Sequence, residues 1–407
     1  MEFSGGLALI EQDTTDCQAV NREQQLLLLC IQHFDKAVPA PALRAAVDGT
    51  FDIAIDWNRL IALAETHGVM PLVHAALGQF SAPQVPTPVL ARLWAYVTVN
   101  ARKNHARAHE LIRLLAVMKN AGIRVVPFKG PLLTASLYAD LRLRVFLDLD
   151  LLVERGDVLS ARDLLANEQY HAISPLRVED EAAFLAAQRQ YDFELVHEQT
   201  GELVELHWKT NHEFVIERLD DPQWWAALDT VELDGARVLS LNRRETMFAL
   251  LIHGSKHLWS RLSWLVDIAL LSRKFDDDDW NWLIHEGRTR RCKRRLGLGL
   301  LLVRDLLDVS LTHAVTKSLC SEARVDRIAR QISQQAFAAD QAQSSLINEM
   351  KLDLQLYDTL WQRIRRVGLL AFTPNAQAWT DHGTDREAGA LPLLSRWQRL
   401  FEKYVRH

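Results

Sequence analysis

The spacing of hydrophobic and polar residues divides the chain into three regions. In residues 1–120 apolar positions recur at helical spacing, as in the segment 56–67 (DWNRLIALAETH), which predicts an amphipathic helix. From residue 123 short apolar strands alternate with helices, and from residue 244 the helical pattern returns. This order predicts an α+β fold, in which a small mixed β-sheet is flanked by N-terminal and C-terminal helical regions. The predicted regions are an N-terminal helical region over 1–120, an α/β core over 121–243, a helical domain over 244–345 and a C-terminal tail with a terminal helix over 346–407.

The stretch 125–153 (VVPFKGPLLTASLYADLRLRVFLDLDLLV) organises the core. Its opening apolar run predicts a buried strand, residues 132–138 predict a helix, and residues 146–153 predict a second strand. Successive side chains of a strand point to opposite faces, so Asp148 and Asp150 share one face. The other face carries Leu147, Leu149 and Leu151.

Two acids on one strand face repel each other unless a positive charge lies between them. Divalent cations, Mg²⁺ above all, prefer carboxylate oxygens and can bridge them to substrate phosphates. Lys129 and Gly130 follow the first strand and offer a cation and a close backbone approach for a phosphate. The alternative is a pair of solvated acids on an edge strand. The apolar residues around Asp148 and Asp150 favour a metal and nucleotide site, because a buried charge without a partner is costly.

A third acid lies on a later predicted strand. Residues 193–197 and 203–208 alternate like the two strands of a hairpin, and the second strand (LVELHW) places Glu205 and His207 on one face. If this strand lies beside the one that carries Asp148 and Asp150, the three acids form a metal site.

A polar stripe is predicted on a helix within residues 245–272. Its members are His253, Lys256, His257, Ser260 and Arg261, at positions i, i+3, i+4, i+7 and i+8. Two interpretations stay open: a satisfied, partly buried hydrogen-bond network, or a helix that faces the acids and offers cations to a triphosphate. Asp267 is expected to pair with Arg261 or with a histidine. A zinc site is disfavoured, because glycine occupies position 254, where the metalloprotease motif requires glutamate.

Two glycine-containing segments receive structural interpretations. Residues 231–241 predict a hairpin that turns at Asp234 and Gly235. The sequence GLGL at 297–300 lies within a leucine-rich helix, which favours helix packing over a phosphate-binding loop.

The composition is that of an ordinary globular protein and gives no sign of nucleic-acid binding. The 407 residues are 48% hydrophobic and 24% charged, with a net charge of −5, so no overall basic field attracts nucleic acid. The basic run 288–295 (RTRRCKRR) is interpreted as a solvated helix face rather than a polyanion site. The four cysteines have no paired spacing, which indicates free thiols in a reducing compartment. They are Cys17, Cys30, Cys292 and Cys320.

The ends of the chain predict a cytoplasmic protein. Residues 1–18 resemble a loose tail without the pattern of a signal peptide, and no apolar run reaches membrane-spanning length. Residues 394–404 predict a terminal amphipathic helix, for which packing is favoured over contact with a membrane surface.

Several motifs, taken in order, resemble a known family. They are KGPLLTASLYAD, Arg144 four residues before DLDLLV, then ELHW, then HGSKHLWSRLSWLVDIALL. In these motifs the chain is similar to the uncharacterised bacterial nucleotidyltransferase family of the DNA polymerase β-like superfamily. The segments DWNRLIALAETHGVMPLV and FTPNAQAW are also similar, so the resemblance covers most of the chain.

The resemblance implies a nucleotidyltransferase core that carries Asp148 and Asp150 as metal ligands and Glu205 as the third acid, a ligand or base. Two Mg²⁺ ions, with Mn²⁺ as the alternative, would act on a nucleoside triphosphate. One ion would lower the pKa of the attacking hydroxyl, and the other would stabilise the leaving pyrophosphate. The implied nucleotide-binding residues are Lys129, Gly130, Arg144, His207, His253, Lys256, His257 and Arg261. Many superfamily members carry Gly-Ser after the first strand, where this chain has Lys-Gly, so a lysine charge replaces hydroxyl and backbone contacts.

The expected function is Mg²⁺-dependent transfer of a nucleoside monophosphate to a hydroxyl or phosphate acceptor on a sugar, peptide or small metabolite. Two alternatives stay open. One is a glycosyl-type transferase that uses a nucleotide-sugar donor on a peptide or phosphopeptide, and the other is a non-catalytic nucleotide-binding module. No nucleic-acid partner is expected, because the chain is acidic overall and lacks an extended basic groove signature.

Overall fold

The computed structural model describes residues 22–34, 41, 43–44, 47, 55–80, 84–187, 190–211, 213–215, 217–337 and 346–372. The predicted tail 1–18 with Cys17, and the predicted helix 394–404, lie outside the described residues.

The N-terminal region is helical where it is described. Its helices are α1 (Arg22–Phe34), α2 (Trp57–Thr66), α3 (Met70–Leu77) and α4 (Thr87–Asn120). Asp56 caps α2, because its side chain accepts hydrogen bonds from the backbone N–H groups of Asn58 and Arg59. Helix α4 is 34 residues long and reaches from the helical region to the sheet.

The core contains a five-stranded mixed sheet. Its elements are β1 (Val125–Pro127), α5 (Gly130–Tyr138), β2 (Asp148–Val153), α6 (Val158–Asn167), β3 (Tyr170–Ala172), α7 (Val178–Ala186), β4 (Asp192–His197) and β5 (Leu203–His207). The strand order is β1-β2-β5-β4-β3. Strand β2 runs parallel to β5, and the other neighbours are antiparallel. The mixed sheet and its flanking helices confirm the predicted α+β fold.

One face of the sheet is hydrophobic. The alternating residues that pack in this part of the core include Leu149, Leu151, Val153, Phe193, Leu195, Val204, Leu206 and Trp208. The prediction for Leu147 was wrong, because this residue precedes β2 and is 53% exposed. The opposite face of β2, β4 and β5 carries five acids and a histidine, together with Leu152, Val196 and Leu203.

A second, two-stranded sheet follows the short helix α8 (Pro222–Ala226). It pairs β6 (Asp229–Leu233) with β7 (Ala236–Ser240). Asp234 and Gly235 both have positive φ angles, 45° and 80°, which the predicted two-residue hairpin turn requires.

Helices build the rest of the described chain. They are α9 (Arg243–Lys256), α10 (Leu262–Ser272), α11 (Asp277–Thr289), α12 (Lys293–Leu307), α13 (His313–Leu319), α14 (Ala323–Ala336), α15 (Leu346–Gln355) and α16 (Leu360–Phe372). No helix in the described ranges is both long and apolar enough to cross a membrane. Cys30, Cys292 and Cys320 are buried free thiols, as predicted.

The prediction that the stripe from His253 to Arg261 lies on one helix is wrong. The backbone of Leu258 and Trp259 is left-handed, with φ angles of 48° and 55°, and it separates α9 from α10. The buried Trp259 ring packs where a Cβ at Gly254 or Gly299 would collide with it. The stripe therefore ends at the turn, and Arg261 is the N-cap residue of α10. Close helix packing at Gly299 confirms the interpretation of GLGL.

The basic run 288–295 is not one solvated helix face. It spans the end of α11, a turn and the start of α12. Arg290 pairs with Glu286 at 2.6 Å and Arg294 pairs with Glu322 at 2.7 Å. The guanidinium of Arg295 is buried and lies 2.6 Å from Asp353, so this residue ties α12 to α15.

Substituting Glu245 with glutamine should stabilise the protein above pH 7. Burial raises the pKa of Glu245 to about 7, and its Oε2 has no hydrogen-bond partner among the described residues. Trp224 Nε1 donates to Oε1 at 2.8 Å, a bond that glutamine can keep. Because the folded state binds the proton more tightly than the unfolded state, stability falls as pH rises from about 4.5 to 7. We expect Glu245→Gln to gain about 1–3 kcal/mol at pH 8 and little at pH 4 in urea unfolding. Glu232→Gln, at an exposed position on β6, is the control; an equal gain there would contradict the role of burial.

Candidate active site

Strand pairing brings the predicted acids together. Asp150 of β2 lies opposite Glu205 of β5 in the parallel ladder. His207 Nε2 lies 3.3 Å from Asp150 Oδ1 and 3.1 Å from Glu205 Oε2. Ligand atoms of these three residues all lie within 4.8 Å of one another, so the group can hold a metal ion. Asp148 shares their face, two residues before Asp150.

Lys129 places a cation on this face, and Gly130 allows the following helix to pack closely against β2. Lys129 Nζ donates to Asp150 Oδ1 at 2.7 Å. Gly130 has a φ of 51°, and a Cβ there would lie 3.2 Å from the carbonyl oxygen of Asp148. Glycine therefore permits both the left-handed backbone and the close approach of α5 to β2.

The charged groups of the site shift one another's pKa values. Burial, followed by the negative charge of Asp150, raises the pKa of Asp148 to about 6. Burial acts in the same direction on Asp150, but Lys129 and His207 outweigh it and hold the pKa of Asp150 well below its usual range. Although burial opposes a charge on His207, its hydrogen bonds to Asp150 and Glu205 raise its pKa to about 9. An ammonium and an imidazolium thus offset part of the negative charge of the carboxylates.

Two buried polar atoms of the site lack partners. Asp150 Oδ2 and His207 Nδ1 have no hydrogen bond within the part of the chain that the structure describes. A buried carboxylate oxygen without a donor is costly unless a cation or another ligand satisfies it. Together with the oxygen-rich donor set, this atom fits a divalent metal ion.

Sequence reasoning missed two further acids on the same face. In the antiparallel ladder of β4 and β5, Asp192 lies opposite His207 and Glu194 lies opposite Glu205. Burial raises the pKa of both, and nearby carboxylates add to the effect. The signal was present in the sequence, because both acids alternate with Phe193 and with a leucine in the strand DFELVH.

An aromatic and a basic side chain cover one side of His207. Tyr191 stacks on the His207 ring, with centroids 5.9 Å apart. Lys256, at the end of α9, donates to the Tyr191 hydroxyl and lies 4.9 Å from its ring centroid. Phe128 contacts His207 edge-on at 5.1 Å. The end of α9 therefore faces the acids, as one of the two interpretations of the stripe expected.

The two histidines of the stripe do not supply positive charge. Burial lowers the pKa of His253 well below its usual value and lowers that of His257 to about 4, and the charge of Lys129 adds to both effects. The two rings and Trp264 form a cluster with centroids 4.8–5.5 Å apart. They offer planar surfaces beside the acids, so on this part of the stripe the cation comes from Lys256 rather than from the histidines.

Arg144 binds a protein carboxylate. Its Nε lies 2.9 Å from Asp267 Oδ1 and its Nη2 lies 2.9 Å from Oδ2. The Tyr138 hydroxyl donates to Asp267 Oδ1 at 2.8 Å, and the carboxylate is fully buried. The predicted pairing of Asp267 with Arg261 or a histidine was therefore wrong. Arg261 is exposed at the start of α10.

Helix α4 holds the loop that leads into β2. Asn104 Nδ2 donates to the carbonyl oxygens of Leu141, at 2.6 Å, and of Arg144, at 2.8 Å. Asn100 Nδ2 donates to the carbonyl of Arg144 at 3.2 Å, and Arg107 Nη1 donates to that of Phe146 at 2.9 Å. These donors, one helical turn apart, fix the backbone just before Asp148.

Substituting Asn104 with alanine should impair the site more than the fold. Asn104 is fully buried, so its loss removes the side-chain donor of the Leu141 carbonyl, leaves Asn100 as the side-chain donor of the Arg144 carbonyl, and loosens the approach to Asp148. We expect metal affinity to fall about 10–100-fold, as for other residues that orient ligands, and stability to fall by about 1–3 kcal/mol. Mn²⁺ titration and urea unfolding measure the two effects. Thr98→Ala, whose hydroxyl bonds only within α4 in the described structure, is the control; unchanged metal affinity in Asn104→Ala would contradict the positioning role.

Comparison with known proteins adds one match. A family model described as "uncharacterised nucleotidyltransferase" matches residues 54–308, a span that contains the sheet, the acids and α9 to α12. No curated protein matches the sequence.

Proposed function

The chain belongs to the uncharacterised nucleotidyltransferase family, and we propose that it moves a nucleoside monophosphate from a triphosphate to a hydroxyl or phosphate acceptor. Family membership makes the protein a transferase. The proposal concerns the reaction's metal, its donor and its acceptor class: a sugar, a peptide or a small metabolite.

One observation carries the proposal: the buried Asp150 carboxylate has one oxygen held by Lys129 and the other without a partner among the described residues. This carboxylate lies in register with Glu205 and near His207. A structural ion pair has no need of a buried acceptor oxygen that lacks a donor. An arrangement of this kind supports a cation-binding role in the reaction.

Asp148, Asp150 and Glu205 would hold Mg²⁺, with Mn²⁺ as a substitute and two ions as the expected number. When bound, these ions would activate the attacking hydroxyl and stabilise the leaving pyrophosphate. Lys129 contributes a fixed positive charge 2.7 Å from Asp150, where it neutralises the acids and can bind a phosphate oxygen. Glu205 would accept the proton of the incoming hydroxyl.

The end of α9 supports donor binding. Lys256 supplies a second cation at the edge of the site, bonded to Tyr191. The neutral rings of His253, His257 and Trp264 suit contact with a planar base or a sugar rather than with the phosphates. Arg144 is engaged by Asp267, so we assign the phosphate contacts to the two lysines.

Isothermal titration tests the proposal. Each nucleoside triphosphate and UDP-glucose would be titrated with and without Mg²⁺ into wild type and into Asp148→Asn/Asp150→Asn. We expect metal-dependent triphosphate binding that the double substitution removes. The control is Asp163→Asn, an acid on α6 whose side chain is 67% exposed.

Other outcomes separate the alternatives. Binding of UDP-glucose alone, with a hexose adduct on the acceptor by mass spectrometry, would replace nucleotidyl transfer by glycosyl transfer. Metal-dependent triphosphate binding without any turnover would indicate a binding module. Binding that survives in the double variant would move the site away from the acidic sheet face.

A further inference from the structure

An open cavity of about 570 Å³ lies among the C-terminal helices. Arg288 of α11, Lys293 of α12 and Lys317 of α13 line it. Its remaining lining residues are His313, Ala314, Ser318, Leu319, Ser321 and Glu322. Three helices thus direct basic side chains at one space, although only two of the three cations belong to the basic run of the sequence.

The acids near this cavity are already engaged. Glu322 lies 2.7 Å from Arg294. Asp358 accepts from the backbone N–H groups of Lys293 and Arg294 at 2.9 and 3.1 Å, so it caps α12. Within the described residues, no carboxylate forms an ion pair with Arg288, Lys293 or Lys317.

A hydrogen bond at the cavity wall also orients the guanidinium of Arg288. Arg288 Nη2 donates to Ser318 Oγ at 3.1 Å, which holds the guanidinium against the cavity wall. Three cations around one space repel each other, and an anion between them would remove that repulsion. Guanidinium, ammonium and hydroxyl donors together match the oxygens of a phosphate.

We propose that this cavity binds the phosphate group of a small phosphorylated organic molecule, at a site separate from the acidic face of the sheet. The volume is in the range that encloses a small organic ligand rather than a bare ion. The acids of the sheet would repel the same group unless a metal ion were present, so the two sites differ in their need for metal.

Titration calorimetry of the full chain in EDTA tests the proposal, with inorganic phosphate and glycerol 1-phosphate as probes. We expect glycerol 1-phosphate to bind more tightly than phosphate. The triple variant Arg288→Gln/Lys293→Gln/Lys317→Gln should weaken its binding at least about tenfold, because each substitution removes a charge-assisted donor. Lys103→Gln, on an exposed position of α4, should leave the affinity unchanged.

Asp150→Asn separates this cavity from the catalytic centre, and it should keep the affinity of wild type. Loss of binding in Asp150→Asn with retention in the triple variant would place the phosphate at the acidic face and overturn the proposal. No binding of either probe to wild type would also overturn it. Equal affinity for the two probes would contradict an organic ligand.

Discussion

Replacing Asp148 with asparagine should abolish nucleotidyl transfer and at the same time raise the free energy of unfolding at pH 8. The activity should fall at least about a thousandfold, or about 4 kcal/mol, if Asp148 is a metal ligand as we propose, because the substitution removes that carboxylate. Burial and the charge of Asp150 raise the pKa of Asp148 to about 6, so its ionised form opposes folding.

The sign of the stability change follows from the raised pKa of Asp148. The folded state binds the Asp148 proton more tightly than the unfolded state, so stability is lost as pH rises from about 3.8 to 6. Asparagine has no such cost, and we expect a gain on the order of 1–2 kcal/mol at pH 8 that disappears below pH 4.

Turnover assays and urea unfolding at both pH values measure the two effects in the same variant. Asp163→Asn, at an exposed position, should change neither quantity. Full activity in Asp148→Asn would exclude this acid from the catalytic centre. An inactive but less stable variant would instead trace the loss of activity to damage to the fold.

Replacing Asp267 with asparagine should be the most destabilising of the substitutions considered. Asp267 is fully buried and accepts hydrogen bonds from Arg144 and Tyr138. Asparagine leaves the buried guanidinium of Arg144 without a counter-charge. Breaking a buried ion pair from one side costs about 3–5 kcal/mol. Because Arg144 lies in the loop before β2, activity should fall with stability.

A second ion pair in the same loop provides the control. Arg142 pairs with Asp140, but the Arg142 side chain is 61% exposed. Arg142→Gln should cost less than about 1 kcal/mol, since exposed pairs contribute little. The double variant Arg144→Gln/Asp267→Asn should cost less than the sum of its single substitutions, because it removes both charges. Equal costs for Asp267→Asn and Arg142→Gln in urea unfolding would contradict the role of burial.

Local patterns in the sequence predicted most strands of the sheet and the acids that share one of its faces. The period of two in DLDLLV and LVELHW placed Asp148, Asp150 and Glu205 correctly relative to their own strands, since alternation depends only on the backbone. The Asp-Gly turn could be predicted because few residues adopt a positive φ angle. The packing role of GLGL could be predicted because glycine has no Cβ and lets a neighbour come close.

Other features depended on neighbours distant in sequence. At the turn between α9 and α10, Trp259 packs against Gly254 and Gly299. The helical spacing of apolar residues does not predict this contact, because Gly299 is distant in sequence. The predicted partners of Asp267 were wrong for the same reason: its true partner, Arg144, lies 123 positions earlier in the chain.

The amino-acid sequence by itself determined which residues share a strand face, where turns occur and which acids are available for a metal. Only the tertiary structure decided that β2 lies beside β5, that Arg144 binds Asp267, and that burial lowers the pKa of His253. The physical reason is that strand pairing, ion pairing and desolvation are interactions across space. Their energies depend on burial and distance, which a residue's type and its local spacing do not specify.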